Sequence, residues 1–484
     1  MPVRPLAVSA LALAACIGVA LPLAVPATVM AQDAATIRTA EQLRDKALKD
    51  DVALDYVTQL TTRFGPRPAG STAEQNAAVW AAGYMRELGF RNVRIQEFPL
   101  VGWERGVESA AIVGERPQRL VVAALGHSIG TPPEGVEGQI VRFTTLEALT
   151  AAPDGSLAGK IAFVDAGQLI PNQDGAGYGP LSRIRGAGPN AAAQKGAIAF
   201  IMRSAGSDEH RMPHTGTTRY VDGKVPLPAF ALSAPDADQL SRLVAMGDPV
   251  RVHLNSTART YETRSQNVIG DLPGRTRPEE VIVLGSHMDS WDLGTGAIDD
   301  GAGGAITLAA ARTIMAHGRP ARTVRVILYG SEEVAQPTDT GNGGGAYLRS
   351  LSPEQLANHV FTGESDFGAD RVYAFGLPVG AQDSDFAKAA ARVLYPIGVL
   401  PSPQPELHGG ADIGPIVEAG VPVFGLNQDG SRYFDLHHTA DDTLDKIDLE
   451  QMRQNVAAWT ALVWLAADSD VDFRAMRPAD SAAH

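Results

Sequence analysis

Cysteine is almost missing from this chain: one residue, Cys16, in 484. A single thiol cannot close an intrachain disulfide, and it cannot build a cysteine-rich zinc site. Cationic residues are also short, with 41 Lys+Arg against 55 Asp+Glu and a formal charge of −14. That balance excludes the basic surface that nucleic acid or an anionic membrane would need. There is no internal repeat and no heptad array, which excludes solenoids and coiled coils. What remains is ordinary globular composition, 44% hydrophobic and 20% charged, on a chain long enough for two domains.

The N-terminus reads as a processing signal. Arg4 precedes a long apolar stretch that ends at Val29-Met30-Ala31. Small residues at Val29 and Ala31 suit signal-peptidase cleavage after Ala31. Residues 1–31 are therefore expected to be a signal peptide, and the protein is expected to be exported, periplasmic or secreted, without stable membrane insertion after cleavage. Leu13-Ala14-Ala15-Cys16 also has the form of a lipobox, and lipidation at Cys16 is the alternative.

Beyond the leader, a helical stretch runs from about Ile37 to Gly65. The turn-rich Gly65–Ser71 follows, then a helix opened by Ser71 and Glu74 in capping-box spacing. Residues 91–100 read as a strand. From about Ala110 to His253 the pattern changes to short strands between Gly/Pro-rich loops, with a short helix at residues 236–247. From Val268 onward, apolar strands alternate with helices, which means an α/β sheet covered on both faces. The expected organisation is an α/β domain in two parts, 35–110 and 256–470, a β-rich insertion at 111–255, and a tail at 471–484.

Chemistry gathers at the carboxyl ends of the expected strands, where open α/β sheets bind ligands. His287 and Asp289 follow the strand ending near Gly285. Glu332 and Glu333 follow the one ending near Gly330. Glu364 and Asp366 follow His359–Gly363, and His437 and His438 follow Val421–Asn427. Grouping so many carboxylates costs free energy through repulsion and desolvation unless cations offset it. Histidine with aspartate and glutamate, and no cysteine, selects zinc first, then cobalt or manganese.

The stretch His287–Gly304 (HMDSWDLGTGAIDDGAGG), with "SEE" at 331–333, "ESD" at 364–366, "GGADI" at 409–413 and "HHTADDT" at 437–443, resembles the di-zinc aminopeptidase and glutamate carboxypeptidase family. It is most like the carboxypeptidase Q branch. The resemblance runs from about Ala35 to Leu465, and the insertion resembles a protease-associated domain. The fold implied is the zinc-aminopeptidase (phosphorylase/hydrolase-like) three-layer α/β sandwich with a mixed sheet.

The resemblance also implies roles. Two zinc ions would be held by His287, Asp299, Glu333, Asp366 and His438, with Asp299 shared. Glu332 would be the general base, and Asp289 would orient His287. Asp300 is the better candidate for capping the helix that follows, and Asp292 reads as a loop residue. His437 reads as structural beside His438, while Asp442 completes the motif. Substrate contacts fall to His408, Arg432 and Tyr433. The remaining histidines, His210 and His214 in the insertion among them, read as surface or core, and a separate metal site there is not expected. The function implied is an exopeptidase acting on dipeptides or short peptides. The alternatives are an aminopeptidase on longer peptides, a glutaminyl-cyclase-like acyltransferase, or a receptor-like protein without activity. No nucleic-acid partner is expected, and a homodimer is compatible with the sequence.

Overall fold

Apolar residues alternate along each strand of the central sheet, and both of its faces are covered. In the computed structural model, Ile282, Leu284, Val324, Val326 and Leu328 point into one hydrophobic cluster. Their neighbours Val281, Val283, Ile327 and Tyr329 point into another. This is the two-residue period of a sheet buried on both sides. The structure describes residues 33–220, 225–337 and 342–476. The signal-peptide and lipobox readings, and residues 477–484 of the tail, lie outside them. Among the described residues, no helix is long and apolar enough to cross a membrane.

The central sheet has five strands in the order Arg91–Glu104, Arg259–Leu272, Arg322–Tyr329, Arg277–His287, His359–Glu364. The first pairs antiparallel with the second, and the second antiparallel with the third. The last three run parallel. Helices Ala34–Ala47, Val52–Phe64, Ala302–His317 and Leu449–Ala467 pack on one face, burying Ala40, Tyr56, Ala305 and Trp459. Helices Gly343–Arg349 and Gly414–Glu418 cover the other through Tyr347 and Ile416. The result is a three-layer α/β sandwich with a mixed sheet.

The N-terminal helical stretch divides in two at Asp50–Asp51. There Asp50 Oδ1 accepts the Ala53 N–H at 3.0 Å and starts the second helix. Ser71 caps Thr72–Leu88 as expected, accepting the Glu74 N–H at 3.2 Å. The capping box does not close. The Glu74 carboxylate accepts from Gly70 N–H at 2.7 Å and from the Ser265 hydroxyl instead.

An eight-stranded mixed sheet lies between Glu108 and Ser256, and its strands Lys160–Val164, Ala199–Arg203 and Ala229–Leu232 run parallel. It too is buried on both faces, with Ile161 and Phe163 in one cluster and Ala162 and Val164 in another. The sequence reads as loops and strands here, yet Tyr178–Gln194 is a 17-residue helix with Pro189 inside it. Packing overrides propensity: Gly188 lies so close to Phe200 that a Cβ would sit 2.3 Å from the ring, and Ile184, Ala191 and Ala192 are buried. This second sheet reaches the first through a shared cluster that contains Leu100, Trp103, Trp291 and Val334.

Candidate metal centre

The three parallel strands deliver their carboxyl ends to one edge. His287 is the last residue of its strand, opposite Tyr329. Glu332 and Glu333 begin three residues after Tyr329, and Asp366 lies two residues after Glu364. His438 arrives from the loop after Gly425–Gln428 with a left-handed φ of 59°.

The histidine and carboxylate atoms then meet in two groups. His287 Nε2 lies 3.1 Å from Asp299 Oδ1 and 3.3 Å from Asp366 Oδ1. His438 Nε2 lies 2.9 Å from Glu333 Oε2 and 3.3 Å from Asp299 Oδ2. Asp299 therefore contributes one oxygen to each group. For a tetrahedral ion with bonds of about 2.0 Å, neighbouring donor atoms are about 3.3 Å apart. The observed spacings match that edge length. Asp299 Oδ2 and Glu333 Oε1 are buried without a hydrogen-bond partner, which a cation would satisfy. The residues present thus fit two divalent ions sharing Asp299.

Electrostatics point the same way. Burial pushes Glu332 up to about 8, and burial with the nearby Asp299 charge raises Glu333 well above the usual range. Burial raises Asp366 and Asp300 as well. Burial also works against ionisation of Asp299, but His437, His287 and His438 outweigh it and hold its carboxyl well below the usual range. Without a bound cation Glu332, Glu333, Asp366 and Asp300 thus resist ionisation.

Supporting contacts hold each donor. His287 Nδ1 faces the Asp289 carbonyl at 3.0 Å, which leaves Nε2 for the site. The Asp289 carboxylate lies 3.7 Å from that ring. It accepts instead from Glu332 N–H and Glu333 N–H, at 3.1 and 3.3 Å. Asp289 therefore orients His287 through its backbone and the two glutamates through its side chain. Asp300 Oδ1 accepts the Gly303 N–H at 2.9 Å in the first turn of Ala302–His317, and Oδ2 accepts the His287 N–H at 3.1 Å. Asp442 accepts Ala297 N–H, Ile298 N–H and Asp299 N–H at 2.8, 2.6 and 3.3 Å, fixing the backbone around Asp299.

The candidate substrate residues separate. His408 is exposed and lines a cavity of about 370 Å³ that shares Glu364 and Asp366 with the centre. Tyr433 is buried, stacked on Phe367 at 4.4 Å and 4.9 Å from His437. Arg432 is not directed to the site. Its guanidinium is held by both Asp370 oxygens at 2.6 Å and by the Lys446 carbonyl at 2.8 Å. A surface arginine with a carboxylate in bidentate reach spends its donors there.

Several site residues escaped the sequence reading. His437 lies in the centre, with Nε2 3.4 Å from Asp299 Oδ2 and its ring stacked on His438 at 3.5 Å. His214, from the second sheet's connections, is a core residue, buried against His437 at 3.1 Å. Arg67 is fully buried and donates to the carbonyls of Met288, Thr295 and Gly296. Arg105 grips both Asp292 oxygens, at 2.7 and 2.6 Å, and reaches the Ala124 carbonyl and Thr215 Oγ1. The signal for Arg67 was available in Gly65-Pro66-Arg67-Pro68, an arginine inside a turn. His214 had none, because its partners are 223 residues away.

Residues 267–463 match the model of peptidase family M28. Carboxypeptidase Q of Mus musculus is 32% identical over 420 residues, covering 85% of this chain and 84% of that protein. The crystal structure of a peptidase M28 precursor from Shewanella amazonensis SB2B superposes with a TM-score of 0.86 at 42% identity, over 92% of this chain and 98% of that one. BSAP, a zinc aminopeptidase from Bacillus subtilis, shares the fold at 22% identity with a TM-score of 0.62, over 87% of this chain and 95% of that one.

Proposed function

The chain belongs to peptidase family M28, and on that premise we propose that it is a di-zinc exopeptidase cleaving dipeptides or short peptides. It is a metallo-exopeptidase, as the carboxypeptidase Q relatives and the family model indicate. The finer reading is carried by one observation: two donor triads, His287/Asp299/Asp366 and Glu333/His438/Asp299, with spacings of a tetrahedral cation site. Zinc held there would polarise the scissile carbonyl and acidify the attacking water.

The chain's own residues do the rest. Glu332 has its backbone held by Asp289 and stands beside His287, Asp299 and Asp366, a place suited to a general base. It takes the proton of the attacking water and returns it to the leaving amine. Glu333, its neighbour, is turned to His438 as a metal donor.

A second reading, an aminopeptidase on longer peptides, is favoured by the cavity beside Asp366. Asp174, Glu364, Asp366 and Glu406 line it with no lysine or arginine, surroundings that suit a free α-ammonium group. The second sheet fits a protease-associated-like insertion over about residues 111–255, and the leader pattern ending at Ala31 supports export.

Metal analysis joined to a substrate panel tests the proposal. We expect about two zinc ions per chain, loss of activity with chelator, and cleavage of free dipeptides above N-blocked dipeptides, amino-acid anilides and long peptides. Full activity with one bound ion would end the dinuclear reading. Preference for long peptides and anilides would favour the aminopeptidase.

A further inference from the structure

A three-histidine cluster lies behind the donor triads, and two of its members have no place in the mechanism above. His214 Nε2 is 3.1 Å from His437 Nδ1. The His437 ring stacks on His438 at 3.5 Å and 18°. The next residue in the same segment, Thr215, takes hold of His438 itself. Its N–H donates to the His438 carbonyl at 3.0 Å, and its own carbonyl lies 3.2 Å from His438 Nδ1. Two consecutive residues from the second sheet's connections thus hold two consecutive histidines of the metal centre.

We propose that His214 is a positioning residue for the peptidase reaction, holding His437 and through it His438 and the second metal position, so that the second sheet completes the centre. This rests on the di-zinc reading. Thr215 O accepting from His438 Nδ1–H leaves Nε2 as the lone-pair nitrogen toward Glu333 and Asp299. That bond fixes the ring's tautomer but leaves it free to rock about the hydrogen bond. The His437 ring blocks the rocking on one side. His437 is itself held at Nδ1 by His214, which is 1% exposed and anchored by its N–H to Ser204 Oγ at 2.9 Å.

The same cluster could be read as a third metal site, since its nitrogens lie within 4.8 Å of one another. The surroundings oppose that. The carboxylate beside its members, Asp299, already serves both triads. The buried guanidinium of Arg185 stands next to it, donating to Tyr178 Oη at 2.8 Å and to the Thr215 carbonyl at 3.1 Å. A fixed positive charge there repels a further cation.

The test compares wild type, His214→Ala, His214→Gln and the control His210→Ala, whose ring is 80% exposed. Zinc content is measured by dialysis against buffered free zinc, alongside kcat and thermal melting. Orienting contacts to metal ligands are worth about 10–100-fold in metal affinity. His214→Ala should lose the second zinc equivalent at free zinc that saturates wild type, with kcat falling in step. His214→Gln, whose amide reaches the place of Nε2, should recover most of both, and His210→Ala should change neither. His214→Ala holding two zinc ions with wild-type affinity would overturn the proposal. If His214→Ala does not melt cooperatively, His214→Leu replaces it, keeping bulk without the hydrogen bond. Failure of both to fold would assign His214 to the fold and also overturn the proposal. Wild type binding no zinc would sink the di-zinc reading instead.

Discussion

Arg67→Met removes one buried guanidinium and tests how the loop between His287 and Asp299 is held. Arg67 is 0% exposed. Its Nε donates to the Met288 carbonyl at 2.8 Å, Nη1 to those of Gly65 and Thr295 at 2.8 and 2.6 Å, and Nη2 to that of Gly296 at 2.9 Å. Three of those acceptors lie in the loop between the donors His287 and Asp299. Gly296 adopts a φ of +61°, where a Cβ would meet Ser290 and Arg67 itself, so the turn and the arginine fit each other closely. Methionine keeps the length and most of the volume, which leaves the cavity term small. The Gly296 carbonyl keeps the Gly301 N–H at 3.1 Å, so three carbonyls, those of Met288, Gly65 and Thr295, lose their partner, at about 1 kcal/mol each or about 3 kcal/mol together. Removing a buried charge relieves some desolvation. Against that, the same charge faces Asp289, Asp300 and Asp442, and their repulsion grows when it goes. The expected loss of about 3 kcal/mol is large beside a total stability of about 5–15 kcal/mol. Urea unfolding of the zinc-free protein reads it directly, and zinc content should fall with the loop. Arg67→Lys keeps the charge but not the planar fork and should recover only part. A Met variant within about 1 kcal/mol of wild type, with full zinc, would refute the reasoning.

Three further outcomes are expected. Glu332→Gln should keep two zinc ions and lose kcat by roughly 10²–10⁴, whereas Glu333→Gln should lose metal and be partly rescued by added zinc; metal content and kcat for both variants decide which glutamate is which. His359 is pushed down to about 4 by burial, with Nε2 against Tyr347 Oη and Nδ1 against the Gln355 carbonyl, each at 2.7 Å. Its folded value is below its unfolded one, so this stability is present above pH about 6.5 and is lost toward pH 4, at up to about 1.4 kcal/mol per pH unit; unfolding free energies against pH should flatten in His359→Gln, and an unchanged slope would contradict the assignment. Gly303→Ala would place a Cβ 1.9 Å from the Ser365 carbonyl, beside Asp366. It should destabilise by about 2 kcal/mol or more and weaken the first metal position, as melting and zinc content would show.

The coupling of the two sheets has a physical basis beyond His214. Arg105 leaves the end of the long edge strand Arg91–Glu104 and pairs with Asp292 on the loop between His287 and Asp299. The same guanidinium reaches the Ala124 carbonyl and Thr215 Oγ1 on the other side. Its neighbour Trp103 lies 6.1 Å from Trp291, which in turn lies 5.6 Å from the His438 ring. A buried charge with partners on both sides, flanked by packed aromatic rings, resists relative movement more than an exposed ion pair would.

The sequence by itself determined the central sheet, the helices over it and the strand ends at which the acidic and histidine residues lie. These follow from periodicity and from the alternation of strand and helix, which are local in the chain. The polar clusters holding His287, Glu332, Glu333, Asp366 and His438 were legible for the same reason, at the ends of recognisable strands, while the choice of Asp299, Glu332 and His438 within them came from the family resemblance. Only the tertiary structure decided what each polar atom meets. Asp289 turned its carboxylate to two glutamate backbones, Arg432 was taken by Asp370, and Glu74 left the Ser71 cap for Gly70 and Ser265. The helix Tyr178–Gln194 formed against its glycines and proline because packing on Phe200 outweighed propensity. His214 and Arg67 entered the centre through partners more than 200 residues away. Such contacts carry no periodicity or spacing in the chain; they exist only once loop closure has brought distant segments together, and burial has made every unpaired donor and acceptor costly.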